Sequence, residues 1–229
     1  MAKIQLDARA LRAVSRIAPT MDIRYFLNGV CIEATKESTT CVATDGHRIM
    51  AIFHKAKNEI EEDARFIIPK EIVGMLVAGK KRTPQLITLE QQDEKWSAGL
   101  PPCNEFQVQF KPIEGNFPNW KAVAKNATKD GLSGEIAMFN SRYIQEMFSA
   151  AKELEQFGPP CGTLMHNGQA AALINFGENS NEFKILALVM PMKGYTKTPD
   201  LTWAYPTEDD ESDKAEEAEN APSDEEVTA

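Results

Sequence analysis

Long hydrophobic runs are missing from this chain of 229 residues. No stretch of eighteen apolar residues occurs, so no membrane-spanning helix is expected. The N-terminus, MAKIQLDARALRAV, has no apolar core and no small-residue cleavage site, so no secretion signal is expected either. Cysteine is scarce and scattered, at Cys31, Cys41, Cys103 and Cys161. No two of them form a CxxC pair and no histidine stands at ligand spacing from them. That argues against a metal site and for free thiols in a reducing cytoplasm. Asp45 with His47 is an acid–base pair without a nucleophile motif, a metal cluster or a phosphate-cradling glycine loop beside it. The composition therefore gives no support to an enzyme, and no cofactor is expected.

Basic charge is also scarce, but only in one place. Of 34 acidic and 25 basic residues, eleven and one fall in residues 205–229, leaving 23 and 24 in the rest. The net charge of −9 thus belongs to the tail, and the body is close to neutral. Residues 206–229 hold one branched aliphatic, Val227, and no aromatic, too little to bury, so a disordered acidic tail is expected.

What is present reads as three copies of one unit: a short strand, an amphipathic helix, then strands. The first begins KIQLDARALRAVSRIAP, with Asp7 as a cap and Pro19 as a stop. Leu11, Val14 and Ile17 share one side, and Arg9, Arg12 and Arg16 fall on the other. Strands are expected near 25–34 and 39–53. The second begins FIIPKEIVGMLVAGKK, with Pro69 at the helix start, Lys70 and Lys81 opposite the apolar side, and Gly79 at the end. Strands follow near 85–90, 95–99 and 105–111. The third begins IAMFNSRYIQEMFSAAKEL, with Asn140 as cap and a polar stripe carrying Arg142 and Lys152. Strands follow near 161–165, 170–176 and 183–191. The polar segment 124–134, AKNATKDGLSG, reads as a linker.

Two turn signals sit close together. RYFLNGV (24–30) reads as a strand closed by Asn28-Gly29, and TDGHR (44–48) turns at Asp45-Gly46. Alone, each is an ordinary hairpin signal. Together, with IIPKEIVGML, GNFPNWKAV, FNSRYIQEMFSA and LALVMPMKG in that order, they resemble the bacterial DNA sliding clamp, the β subunit of DNA polymerase III. The likeness covers about residues 3–194 and matches the family's middle domain plus the second half of its last domain.

The resemblance implies an α+β, DNA-clamp-like fold of repeated helix-plus-antiparallel-sheet units. Residues 1–124 would form a two-unit domain, 125–203 a half-domain and 204–229 the tail. It also implies a cleft that takes the polymerase and clamp-loader peptide tails, lined by Leu27, Thr44, Gly46, His47, Arg48, Ile49, Pro118, Val123, Met190, Pro191 and Met192. Leucine, isoleucine and flexible methionine make an adaptable apolar slot for a leucine–phenylalanine pair. Ala122 departs from the family, which often has arginine there, while Lys193 supplies the basic residue after the methionine-proline-methionine triplet. The MPM strand reads equally well as core packing.

The family's helices line the hole and face DNA. Arg9, Arg12, Arg16, Lys70, Lys81, Arg142 and Lys152 would then touch phosphates of double-stranded DNA without sequence preference and with strong salt dependence. The alternative is a solvated helix face, and the acidic tail is either a solubilising end or a competitor for these residues. The implied function is a DNA-replication processivity clamp, a homo-oligomer working in the cytoplasm of a bacterial cell or phage-infected host. A closed ring would need four such chains. The missing first domain and half-domain leave a second reading open: a non-encircling adaptor or decoy that binds clamp-interacting peptides.

Overall fold

The computed structural model describes residues 2–78, 85–99, 107–128, 137–154, 162–165, 170–176 and 183–193. Among them are four α-helices and eleven strands, the strands forming two antiparallel sheets. The first unit runs β1 (Lys3–Asp7), α1 (Ala8–Ser15), β2 (Gly29–Thr35), β3 (Ser38–Thr44) and β4 (Arg48–Lys55). The second runs β5 (Ala64–Pro69), α2 (Lys70–Leu76), β6 (Leu86–Gln92), β7 (Lys95–Gly99) and β8 (Gln107–Phe110). Then come α3 (Trp120–Thr128), α4 (Ser141–Ala151), β9 (Thr163–Met165), β10 (Ala172–Asn175) and β11 (Phe183–Val189).

The units exchange their first strands. One sheet has the order β1-β6-β7-β8, and the other β5-β2-β3-β4-β11-β10-β9. The third unit is joined to the first within the same chain, because β11 pairs antiparallel with β4 from Phe183↔His54 to Val189↔Arg48. The residues Met1–Lys193 cluster as one unit.

Helix starts follow the local chemistry. The Asp7 carboxylate accepts from the Arg9 backbone N–H at 2.7 Å, and the Asn140 side chain accepts from the Arg142 N–H at 3.0 Å. Pro69 precedes α2, where its missing N–H costs nothing. Helix α1 packs against α2 on one side and α4 on the other. Beneath them Leu11 and Val14 share a core with Ile4 and Leu6 of β1, Ile32 and Met50 of the long sheet, and Ile87 and Leu89 of β6.

Several expectations change. Tyr25–Leu27 is a 3-10 turn rather than a strand, and β2 begins at Gly29 instead of ending there. The Asn28 side chain accepts from the Asp22 N–H at 2.8 Å and donates to the Asp22 carbonyl at 2.9 Å, which coils the preceding loop. Gly29 is required because a Cβ there would lie 2.4 Å from the Ile68 carbonyl oxygen. Residues 124–128 of the expected linker are helical, as the end of α3. Gly79 and Lys81 lie outside the described residues.

Asn58 ties the two sheets together. Its side chain accepts from Gln5 N–H at 2.8 Å and donates to the carbonyls of Thr35 and Ser38 at 2.7 and 3.0 Å.

Candidate peptide-binding site

The long sheet has a second apolar face, away from α1, α2 and α4. Alternation places Cys31 of β2, Val42 of β3, Ala51 and Ile49 of β4, and Leu188 of β11 on it, together with Leu27 and Ile67. The rungs Cys31↔Val42, Val42↔Ala51 and Ala51↔Leu186 run across four strands. Burial pushes the Cys31 thiol up to about 11, partly offset by Arg65, so it stays a neutral thiol on this face.

The turn between β3 and β4 closes one end of this face. Gly46 has φ of +89°, a conformation that favours glycine. The Asp45 carboxylate accepts from the N–H groups of His47 and Arg48 at 2.9 and 3.1 Å, and Thr44 donates to the Arg48 carbonyl at 2.8 Å. The His47 carbonyl accepts from the Met190 N–H at 2.8 Å, which brings the segment after β11 against the turn. The Met138 carbonyl accepts from the Met192 N–H at 2.7 Å. Met190 and Met192 are 41% and 48% exposed, large for methionine and available at the rim.

Arg48 is not a free rim residue. It is buried, bonded to Asp45 at 3.0 Å, paired with Glu146 of α4 at 2.5 Å, and lies over the Tyr143 ring at 4.7 Å. His47 stacks on the same ring at 5.9 Å. Burial works to raise the Glu146 carboxyl, but hydrogen bonds from Arg142 and Arg48 outweigh it and hold the group below its ordinary value. Arg24 also reaches the turn, donating to the Asp45 carbonyl at 3.0 Å. Its bonds to Asp22 bring that carboxyl down to about 2.

Helix α3 lies on the same face. Trp120, Val123, Ala124 and Ala127 belong to the cluster that holds Leu27, Ile49 and Leu188. The start of α3 is anchored by Glu33 of β2, which accepts from Trp120 Nε1 at 3.1 Å and pairs with Lys121 at 2.8 Å. Arg65 of β5 pairs with Glu33 at 3.3 Å and donates to the Phe117 carbonyl at 3.1 Å.

Residues 5–119 match the family described as the DNA polymerase III beta subunit, central domain. The chain belongs to that family. The beta sliding clamp of Pseudomonas putida KT2440 is 29% identical over 150 residues, 59% of this chain and 39% of that protein. That of Buchnera aphidicola from Acyrthosiphon pisum is 29% identical over 164 residues, 66% of this chain and 39% of its own length. The chain spans about two fifths of these relatives. A crystal structure of the Pseudomonas aeruginosa sliding clamp aligns with a TM-score of 0.62 at 17% identity, covering 83% of this chain and 66% of that one. Another, bound to griselimycin, gives 0.61. These likenesses show a clamp fold, and the clamp family is non-catalytic.

Within that fold, Leu27, Ile49 and Val123 share the outer apolar cluster. Thr44, Gly46, His47 and Arg48 form the turn at its end, and Met190 joins them through the His47 carbonyl. Pro118 and Pro191 are partly buried. The basic residues are less uniform. Arg9 is buried, paired with Asp7 at 2.8 Å and placed over the Phe183 ring. Arg12 is buried and donates to the Val77 carbonyl at 2.8 Å. These two are therefore inside the helix layer, not on the solvent side that periodicity assigned them. Lys70 donates to the Ala18 carbonyl and to Thr20 at 3.2 Å, and its ammonium is shifted down by burial. Arg16 and Arg142 pair with Glu153 and Glu146, each at 2.9 Å, and Lys152 is exposed.

Sequence reading missed Glu33, Trp120, Tyr143 and Glu146. Trp120 and Tyr143 each stood at an apolar helical position, a detectable signal. The carboxylates carried none, because their partners are distant in sequence. No helix among the described residues is long and apolar enough to cross a membrane.

Proposed function

We propose that this chain is a clamp-like processivity factor that holds polymerase and clamp-loader peptide tails at the end of the outer apolar face and tethers them to duplex DNA. The observation that carries the reading is the junction of the Thr44–Arg48 turn with Met190, made by the His47 carbonyl and continued by two exposed methionines. A leucine–phenylalanine side-chain pair fits methionine and isoleucine walls, and a polar turn supplies backbone groups for the peptide chain. The chain does no chemistry in this reading. It raises the local concentration of the polymerase at its template. Residues 1–124 act as the two-unit domain, 125–203 as a half-domain, and 204–229 as an acidic tail, with several copies assembling around DNA in the cytoplasm of a bacterium or phage-infected host.

One observation favours a second reading, the non-encircling adaptor or decoy. Arg9 and Arg12 are buried and engaged, and Arg16 and Arg142 are ion-paired, which lowers the positive charge the helices offer to phosphates. Primer extension on a singly primed template separates the two. A processivity factor lengthens products when enzyme is limiting and trapped after one encounter. A decoy shortens the products of a polymerase already working with a complete clamp.

A further inference from the structure

The first two units are built alike: β5-β2-β3-β4 in one sheet matches β1-β6-β7-β8 in the other, so β8 stands where β4 stands. The outer edge of β4 is taken by β11, and α4 packs beside α1 above that junction. On α1 the stripe facing the third unit is Arg9, which lies over Phe183, Ala13, which is fully buried, and Arg16, which pairs with Glu153. Counted from the caps Asp7 and Pro69, the same positions on α2 are Glu71, Met75 and Ala78. All three are exposed, Met75 at 51%. Beside them, no strand among the described residues pairs with the outer edge of β8. Two other edges are covered by the chain itself. Lys3 of β1 exchanges backbone hydrogen bonds with Glu59 at 2.9 and 2.8 Å, and Ile113 N–H donates to the Ile67 carbonyl of β5 at 3.0 Å. β8 reads Gln-Val-Gln-Phe, with neither the charge nor the proline that blunts a free edge.

We propose that the β8 edge and the Glu71–Met75–Ala78 face of α2 form one interaction surface, and that its partner is the same surface of a second copy of this chain. A twofold axis beside β8 sets the two strands antiparallel, as every strand pair among the described residues is. The two α2 helices then meet above the joined sheets, as α4 meets α1 within the chain, and cover the methionines. β11 of the second copy is not the partner, because it is committed to its own β4 from Phe183 to Val189. The proposal rests on the processivity reading for its purpose, and gives that reading's assembly one of its contacts.

The test uses the full chain, the variant Met75→Lys, and the double variant Gln107→Lys with Gln109→Lys. All three positions are exposed, so the substitutions leave the core alone. Sedimentation equilibrium up to about 100 μM covers dissociation constants in the micromolar range. Wild type should move with concentration toward twice the 25.4 kDa of one chain, and amide exchange across 107–110 should slow as it does so. Each variant should dissociate at least about tenfold more readily, because each sets like charges against each other across the axis. A wild type that stays monomeric overturns the proposal. So does a dimer that both variants keep at full strength, or one whose 107–110 amides exchange as fast as in dilute protein. Anisotropy of a fluorescein-labelled synthetic peptide of sequence Gln-Leu-Ser-Leu-Phe on the same samples reports the peptide site, which is built on the other sheet. Monomeric wild type that binds the peptide overturns the β8 contact and leaves the peptide site standing. A dimer lost in both variants, with no peptide bound by any protein, supports the contact and overturns the peptide site.

Discussion

The guanidinium of Arg48 and the carboxylate of Glu146 meet at 2.5 Å, joining the turn after β3 to helix α4. Arg48 also holds Asp45 at 3.0 Å, so one buried side chain fixes both the shape of the turn and the position of the third unit. Arg48→Ala is expected to cost about 2–3 kcal/mol, because the acids it leaves are partly shielded from water. Glu146→Gln should cost less, since that carboxylate is 33% exposed and water can replace part of the pairing. A double-mutant cycle read by urea unfolding is expected to give a coupling of about 1 kcal/mol. Strict additivity would mean that the pair does not hold the units together. The Glu146 carboxyl is depressed in the folded state, so its contribution is present above its ordinary value of 4.5 and is lost as pH falls through the lower folded value.

His54 provides a second pH dependence. It is buried, accepts from the Asp7 N–H through Nε2 at 3.3 Å, and therefore carries its proton on Nδ1, which faces the Lys55 carbonyl at 3.2 Å. Burial shifts it down from 6.5, with the Lys55 carbonyl and Asp7 acting the other way and Arg9 adding to the drop. The folded chain keeps His54 neutral while the unfolded chain takes up a proton near its ordinary value. Stability is thus full above about pH 6.5 and falls as pH drops below it toward the folded value. Unfolding free energies between about pH 7.5 and about pH 5, a range that brackets a histidine, should show this slope. His54→Gln should remove it. A slope that survives in the variant contradicts the assignment.

Asn58 makes an equally specific structural prediction. Asn58→Ala leaves the Gln5 N–H and the Thr35 and Ser38 carbonyls without their partner in a site only 8% exposed. The expected loss is about 2–3 kcal/mol, read as a lower urea midpoint with an unchanged slope. A loss below about 0.5 kcal/mol would mean that water takes over these bonds.

The helix starts were legible because a cap is local chemistry: Asp7, Pro69 and Asn140 each act within two residues of themselves. The Asp45-Gly46 turn was legible for the same reason, as a short carboxylate and a positive φ suffice to make it. The Asn28-Gly29 pair misled, since glycine there answers the approach of Ile68 from another strand and not a hairpin. Helix α3 was hidden by its polar composition. Its spacing of Trp120, Val123, Ala124 and Ala127 is helical, but only the outer sheet face gives that stripe something to bury against. Arg9 and Arg12 misled in the opposite direction. Their burial depends on Asp7 and on the Val77 carbonyl, and charge alone predicts exposure. Leu27 is likewise fully buried, so a charged residue there would unfold the protein before it tested binding.

The central claim is that peptide tails bind where Met190 and Met192 meet the Thr44–Arg48 turn. Both methionines are exposed, so Met190→Glu with Met192→Glu should leave the fold intact while placing charge in an apolar slot. The decisive measurement is the anisotropy titration of the labelled Gln-Leu-Ser-Leu-Phe peptide with wild type and this double variant, alongside circular dichroism of both. The account predicts binding by wild type and a loss of at least about thirtyfold in the variant with an unchanged spectrum. Equal binding by the two proteins, both folded, would contradict it.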